Sequence, residues 1–249
     1  MNSPILDAPK VAETVTGLKN RISERFPDSG LVNVCGQLEQ IAIHTKERSR
    51  MINEPIWWVK IAFWLLIIVV FILCVVLPLT LKLGFTAKDL TWKSVLELGD
   101  PVFNEIIVIG AMFFFMFTLE IRVKRNRLLK AIHELRSIAH VIDMHQLTKD
   151  PHRVMPGRVY VPTPLSPEPS MSPFQLRRYL DYCSEMLSLT GKLAAVYVQN
   201  FDDQVALAAV NEVEQLTTGL SRKIWQKIVI LHNAAEADRL GSQGPGVGN

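Results

Sequence analysis

The stretch from Ile61 to Leu81 contains no ionisable side chain, and 16 of its 21 positions are Ile, Leu, Val or Phe. At about 1.5 Å per helical residue it reaches about 31 Å, the thickness of a bilayer core. A second apolar stretch, Val102 to Ile121, carries Asn104, Glu105 and Glu120 only in its end turns, where polar groups reach the headgroup region. The two together predict a transmembrane helical hairpin, which fixes the solvent of every other segment.

Orientation follows from the basic residues. Lys46, Arg48, Arg50 and Lys60 precede the first stretch, and Arg122, Lys124, Arg125, Arg127 and Lys130 follow the second. Only Lys82, Lys88 and Lys93 lie between them. The excess of positive charge on the outer flanks predicts both termini in the cytoplasm and a short connection outside a cell (inner) membrane. Trp57, Trp58 and Trp92 stand at interface depth, as amphipathic rings prefer. The first stretch is expected to serve as the insertion signal, because about fifty residues of polar, helix-patterned sequence come before it.

Outside these stretches the chain reads as ordinary soluble helix, with a net charge of only +3. Val11, Val15, Leu18 and Ile22 recur at helical spacing until Pro27, Asp28, Ser29 and Gly30 interrupt them. Leu31, Val34, Cys35, Leu38 and Ile41 open a second helix leading to Pro55. No Gly or Pro separates the second apolar stretch from Pro151, so one helix of about 45 residues is expected to run out of the bilayer. Along it Leu128, Ile132, Leu135, Ala139 and Ile142 form the narrow seam of a coiled coil or bundle.

Residues 148–173 hold seven of the 14 prolines, a density that no helix is expected to survive, with Arg158 to Val161 open to a short extended pair. Ser172, Pro173 and Gln175 then spell a cap, a first-turn proline and a capping-box partner. The stripe Leu176, Leu180, Cys183, Leu187, Thr190, Leu193, Tyr197 follows. After a turn at Asn200 to Asp203 comes a second stripe of Val205, Ala209, Val213, Leu216, Leu220, Ile224, Ile228 and Leu231.

The expected fold is therefore all-α: a membrane protein with a two-span transmembrane helical hairpin and a cytosolic helical bundle. Its parts are N-terminal cytosolic helices over 1–55, a first transmembrane helix over 56–83 and an extracytoplasmic connection over 84–101. A second transmembrane helix spans 102–121, with a cytosolic continuation over 122–147. A Pro-rich connector over 148–173, a helical hairpin over 174–240 and a disordered tail over 241–249 complete the chain.

Chemistry is sparsely signalled. His133, His140, Asp143, His145 and His152 make a histidine-rich stretch. His133 and His140 lie about 10 Å apart along a helix axis, too far to share one ion, and only His140 with Asp143 has chelating spacing. His133-Glu134 opens like a zinc-protease motif, but Ser137 occupies the position of the second histidine. His140 and Asp143 are thus weak metal candidates, and no cofactor is called for.

Glu105 is a carboxylate at the edge of a span, expected in an opening turn behind Asp100 and Pro101; in an oligomer it would form an acidic ring at a pore mouth. Gly110 and Ala111 offer a small spot for close helix approach, and Glu120 with Lys124 has the spacing of a helical ion pair. Arg222, Lys223, Trp225 and Lys227 make a basic face. Cys35, Cys74 and Cys183 sit on apolar faces or in a span and read as small hydrophobes rather than a disulfide framework.

The leading expectation is a non-enzymatic, membrane-anchored helical scaffold or assembly protein. Its partners would be the lipid bilayer and either a homo-oligomer or a cytosolic protein, with no nucleic acid, and Glu105, Gly110, Leu128, Ile132, Leu135, Ala139 and Ile142 would be pore or interface positions. An oligomeric ion channel or membrane-permeabilising effector is the alternative. A metal-dependent membrane enzyme using His140 and Asp143 is the third.

Overall fold

The computed structural model describes residues 6–80, 92–155 and 171–242, and every regular element among them is helical. They are α1 (Ala8–Arg25), α2 (Gly30–Asn53), α3 (Trp57–Thr80), α4 (Trp92–Leu147), α5 (Pro173–Val198) and α6 (Gln204–Ser242), with a 3₁₀ turn at Pro151–Arg153. The chain divides into two compact units, one formed by Met1–Ile52 with Arg127–Asn249 and the other by Asn53–Asn126.

The first unit is a helical bundle built around α5. Fourteen side chains of this 26-residue helix are buried, among them Tyr179, Tyr182, Met186 and Leu189 beyond the expected stripe, so α5 is covered on most of its circumference. That is the pattern of a central helix, which also forms one arm of a hairpin with α6. It packs against α6 and α1. Val15, Leu18 and Ile22 of α1 and Leu31, Cys35 and Leu38 of α2 are fully buried in the same core. Leu128, Ile132, Leu135, Ala139 and Ile142 of α4 join them there. At about 1.5 to 3 kcal/mol per large apolar side chain, this shared core holds the five helices together.

The ends of the helices follow local chemistry. The Ser172 hydroxyl accepts from the Gln175 N–H, and the Gln175 side chain accepts from the Ser172 N–H, completing the expected capping box. Asp203 caps α6 by accepting from the Ala206 N–H at 2.9 Å. Phe26 closes α1 and turns its ring edge-on to Tyr179 at 5.6 Å and to Tyr182 at 6.2 Å.

Four expectations are corrected. The α6 stripe begins one residue later than its spacing implied. Val205 is exposed and Ala206, Val210, Val213 and Thr217 turn inward, in line with the buried face that Leu220 and Ile224 continue. The connector over 148–173 does keep one helical turn at Pro151–Arg153, where the Asp150 carboxylate accepts from the His152 N–H and Pro151 occupies the first position. Its proline run at 162–169 and the proposed extended pair lie outside the described residues.

The other two corrections concern the starts of α4 and α3. This helix begins at Trp92 and takes up ten residues of the expected 84–101 connection. Asp100 and Pro101 therefore lie inside it rather than at a cap. Pro101 already has a helical φ and costs α4 one backbone hydrogen bond, at the carbonyl of Glu97, within a 56-residue helix. Finally, Pro55 precedes α3 by two residues instead of opening it, since Val59 and Lys60 N–H groups both donate to the Ile56 carbonyl.

In the second unit α3 and the first half of α4 meet through an edge-on pair of rings, Phe63 and Phe113, at 5.2 Å. Lys124 and Glu120 form the expected ion pair at 2.9 Å. Two helices here are long and apolar enough to cross a membrane; their apolar windows are 11 % and 0 % buried.

Leu135 has no exposed surface, whereas Val205 at the phase shift is largely open. Leu135→Ala is therefore expected to cost about 2 to 5 kcal/mol and Val205→Ala less than about 0.5 kcal/mol. Denaturant titration of the purified chain, followed by circular dichroism, measures both.

Candidate functional site

The histidine-rich stretch does not assemble. His133 and His140 are exposed on α4, and the Asp143 carboxylate accepts from the Gln146 side-chain amide at 2.6 Å. Among the described residues no group of three or more His, Cys, Asp and Glu is gathered so as to hold a metal ion. Cys35 and Cys183 are buried, and burial pushes each thiol up to about 12, which keeps both protonated and unreactive. Cys74 has its side chain outside the described residues. So does Glu105, whose backbone lies in the fourth turn of α4.

The interface candidates divide. Leu128, Ile132, Leu135, Ala139 and Ile142 are at most 2 % exposed, covered by apolar side chains of the same chain. That seam is filled from within and offers no open stripe to a second copy. Gly110 is open: a Cβ there would have no neighbour within 4 Å.

What the structure does bring together is polar pairs linking helices across the bundle. Lys19 of α1 donates to Glu39 of α2 at 2.6 Å, and this ammonium holds the buried carboxylate below its ordinary range. Arg48 of α2 reaches Glu134 of α4, and Arg136 of α4 reaches Glu212 of α6. Arg21 of α1 pairs with Glu185 of α5 at 2.8 Å. Beneath Arg48, the hydroxyl of buried Tyr197 lies 3.4 Å from that of Thr45.

A further polar contact is one the sequence does not announce. The Lys227 ammonium turns away from the basic face of Arg222, Lys223 and Trp225 and donates to the Gln146 backbone carbonyl at 2.8 Å and to its side-chain oxygen at 2.7 Å. Gln146 is nearly fully buried and belongs to the last turn of α4, where carbonyls have no helical donor. A lysine from α6 thus closes the end of α4, 81 positions away. Burial lowers the Lys227 pKa, opposed by the charges of Asp150 and Asp143.

The clefts of the bundle are open and shallow in chemistry. One between α2 and α4 is rimmed by His44, Arg48 and Glu134, and another between α5 and α6 by Ser184, Ser188 and Thr218. A third and larger one lies where the α1–α2 turn, the end of α4 and the start of α5 converge. Comparison with protein-family models, curated proteins and solved structures finds no match for this chain.

Lys227→Met should cost about 1 to 3 kcal/mol, because it strands the buried Gln146 side-chain oxygen, while the backbone carbonyl keeps the Lys149 N–H at 3.1 Å. The sign of its pH dependence follows from the lowered pKa. Between the folded-state value and the ordinary 10.5, the unfolded chain binds more protons at Lys227 than the folded one. Stability of the wild type relative to Lys227→Met should therefore rise with pH as 10.5 is approached, measurable as a widening gap in unfolding free energy.

Proposed function

We propose that this chain is a non-enzymatic, membrane-anchored helical scaffold, whose bundle holds or assembles protein partners from the cytoplasmic side of a cell (inner) membrane. One observation carries the reading. Around α3 and the first half of α4 the large apolar side chains face outward, with Phe71, Phe114 and Phe117 each about 70 % exposed. Water does not tolerate a continuous apolar surface of that extent, and a bilayer does.

The bundle supports the same reading from the other direction. Its stripes are satisfied within the chain and its surface carries ion pairs between helices, which is how a water-facing domain is finished. The buried, protonated thiols and the solvent-facing histidines leave it without an assembled nucleophile or acid–base pair among the described residues. Assembly with a cytosolic protein or with further copies would use the outer faces of the bundle or the open spot at Gly110, since the α4 seam is occupied. The basic flanks support a reading with both termini on the cytoplasmic side.

Alkaline carbonate extraction combined with protease protection of tags at both termini tests this proposal. The chain should stay in the membrane pellet, and both tags should be cleaved in inside-out vesicles and protected in right-side-out ones. Recovery in the soluble fraction, or tags on opposite sides, would overturn it.

A further inference from the structure

The cleft where the α1–α2 turn, the end of α4 and the start of α5 converge has ≈ 640 Å³ of space, within the range of pockets that enclose small organic ligands. Its apolar lining comes from three elements: Phe26 after α1, Met144 on α4, and Met171 and Tyr179 before and within α5. The Phe26 and Tyr179 rings meet edge-on at 5.6 Å and close the bottom of the cleft from within the core, both buried. Met144, two-thirds exposed, adds an unbranched thioether that adapts to flat aromatic surfaces.

The polar lining has one sign of charge to spare. Of the cations at this corner, Lys227 is committed to Gln146, and Arg153 lies 3.9 Å from the Asp150 carboxylate. Lys149 instead holds its ammonium over the Tyr179 ring, 5.2 Å from the centroid, and forms no ion pair with a carboxylate among the described residues. A cation kept on an aromatic face at the wall of a cleft is poised for an anion without first having to break an ion pair. His145 stands beside it. Its imidazole is pressed so close to the start of α2 that a Cβ on Gly30 would fall 2.7 Å from the ring, so the glycine makes the room the ring occupies. Asp28 also lines the cleft, but it is solvent-exposed and water screens its charge.

The geometry points to a binding site for a small aromatic acid, its carboxylate or sulfonate met by Lys149 and His145 and its ring system held between Met144 and Met171 above the buried Phe26 and Tyr179. The site belongs to the bundle alone and stands or falls separately from the membrane-scaffold reading.

The test is a titration of the full chain in lipid nanodiscs with 2-naphthoate, read by saturation-transfer NMR against empty nanodiscs. Saturable binding above the empty-disc background is expected. Loss of one charge-assisted contact should weaken it about tenfold or more, both for Lys149→Gln with naphthoate and for the wild type with uncharged 2-naphthamide. Lys149→Arg should retain binding, and Met171→Trp, which fills the cleft, should abolish it while leaving the unfolding midpoint near that of the wild type. The inference is overturned if the wild type shows no saturable binding, if naphthamide binds as tightly as naphthoate, or if Lys149→Gln or Met171→Trp binds like the wild type.

Discussion

Helix α4 changes from an outward apolar surface to a single buried apolar stripe along one continuous backbone, and the other helices of the bundle answer to that change. From Ile106 to Phe117 it is apolar around its outward surface; from Leu128 onward its apolar residues narrow to one buried stripe. The change occurs over Arg122, Lys124, Arg125 and Arg127, less than two turns of basic side chains. An all-round apolar helix requires lipid or protein on every side, whereas a striped one requires a core on one side and water on the other. The Lys124–Glu120 pair at 2.9 Å sits at this boundary, and Arg127 donates to the Met51 carbonyl at 3.2 Å.

The stripe determines the bundle. Leu128 to Ile142 needs a complementary surface, and α1, α2, α5 and α6 supply it, with α5 buried on most sides as the shared partner. The apolar core alone leaves the far end of α4 open, where the last carbonyls have no helical donor. Lys227 closes it from α6 through Gln146, and the capping box at Ser172 starts α5 close by in sequence to the Pro151–Arg153 turn. The surface ion pairs add little individually, about 0 to 1 kcal/mol each, but they join α1 to α2, α2 to α4, α4 to α6 and α1 to α5 in one register.

Much of this was legible in the sequence because helical periodicity is a local property. The stripes of α1, α4 and α5, the capping box and the Glu120–Lys124 pair follow from spacings of three and four residues, and each recurs in the structure. The start of α6 is ambiguous in the sequence because Val205 is more apolar than Ala206, and packing along the face of Val213, Leu220 and Ile224 turns Ala206 inward instead. The start of α4 was misread because proline is permitted both at a helix start and, for one lost hydrogen bond, inside a long helix. The Lys227–Gln146 contact and the Lys149–Tyr179 cleft were not legible at all: both join residues tens of positions apart, and neither pair has a spacing that marks it. The seam on α4 was visible as a stripe, but a stripe does not name its partner, and the structure fills it from within the chain.

Nitroxide scanning of single-cysteine variants from Ile106 to Ile142, in a cysteine-free background reconstituted into lipid, tests the central claim most directly. Oxygen accessibility should be high at most positions over Ile106 to Phe117. Beyond Arg127 it should fall, and minima for both oxygen and a water-soluble relaxant should recur at Leu128, Ile132, Leu135, Ala139 and Ile142 in unmixed samples and in samples diluted with unlabelled chain. High access of the water-soluble relaxant throughout Ile106 to Phe117, or spin–spin broadening at Leu135 that disappears on dilution, would contradict an account in which lipid covers the first half of α4 and the chain's own helices cover the second.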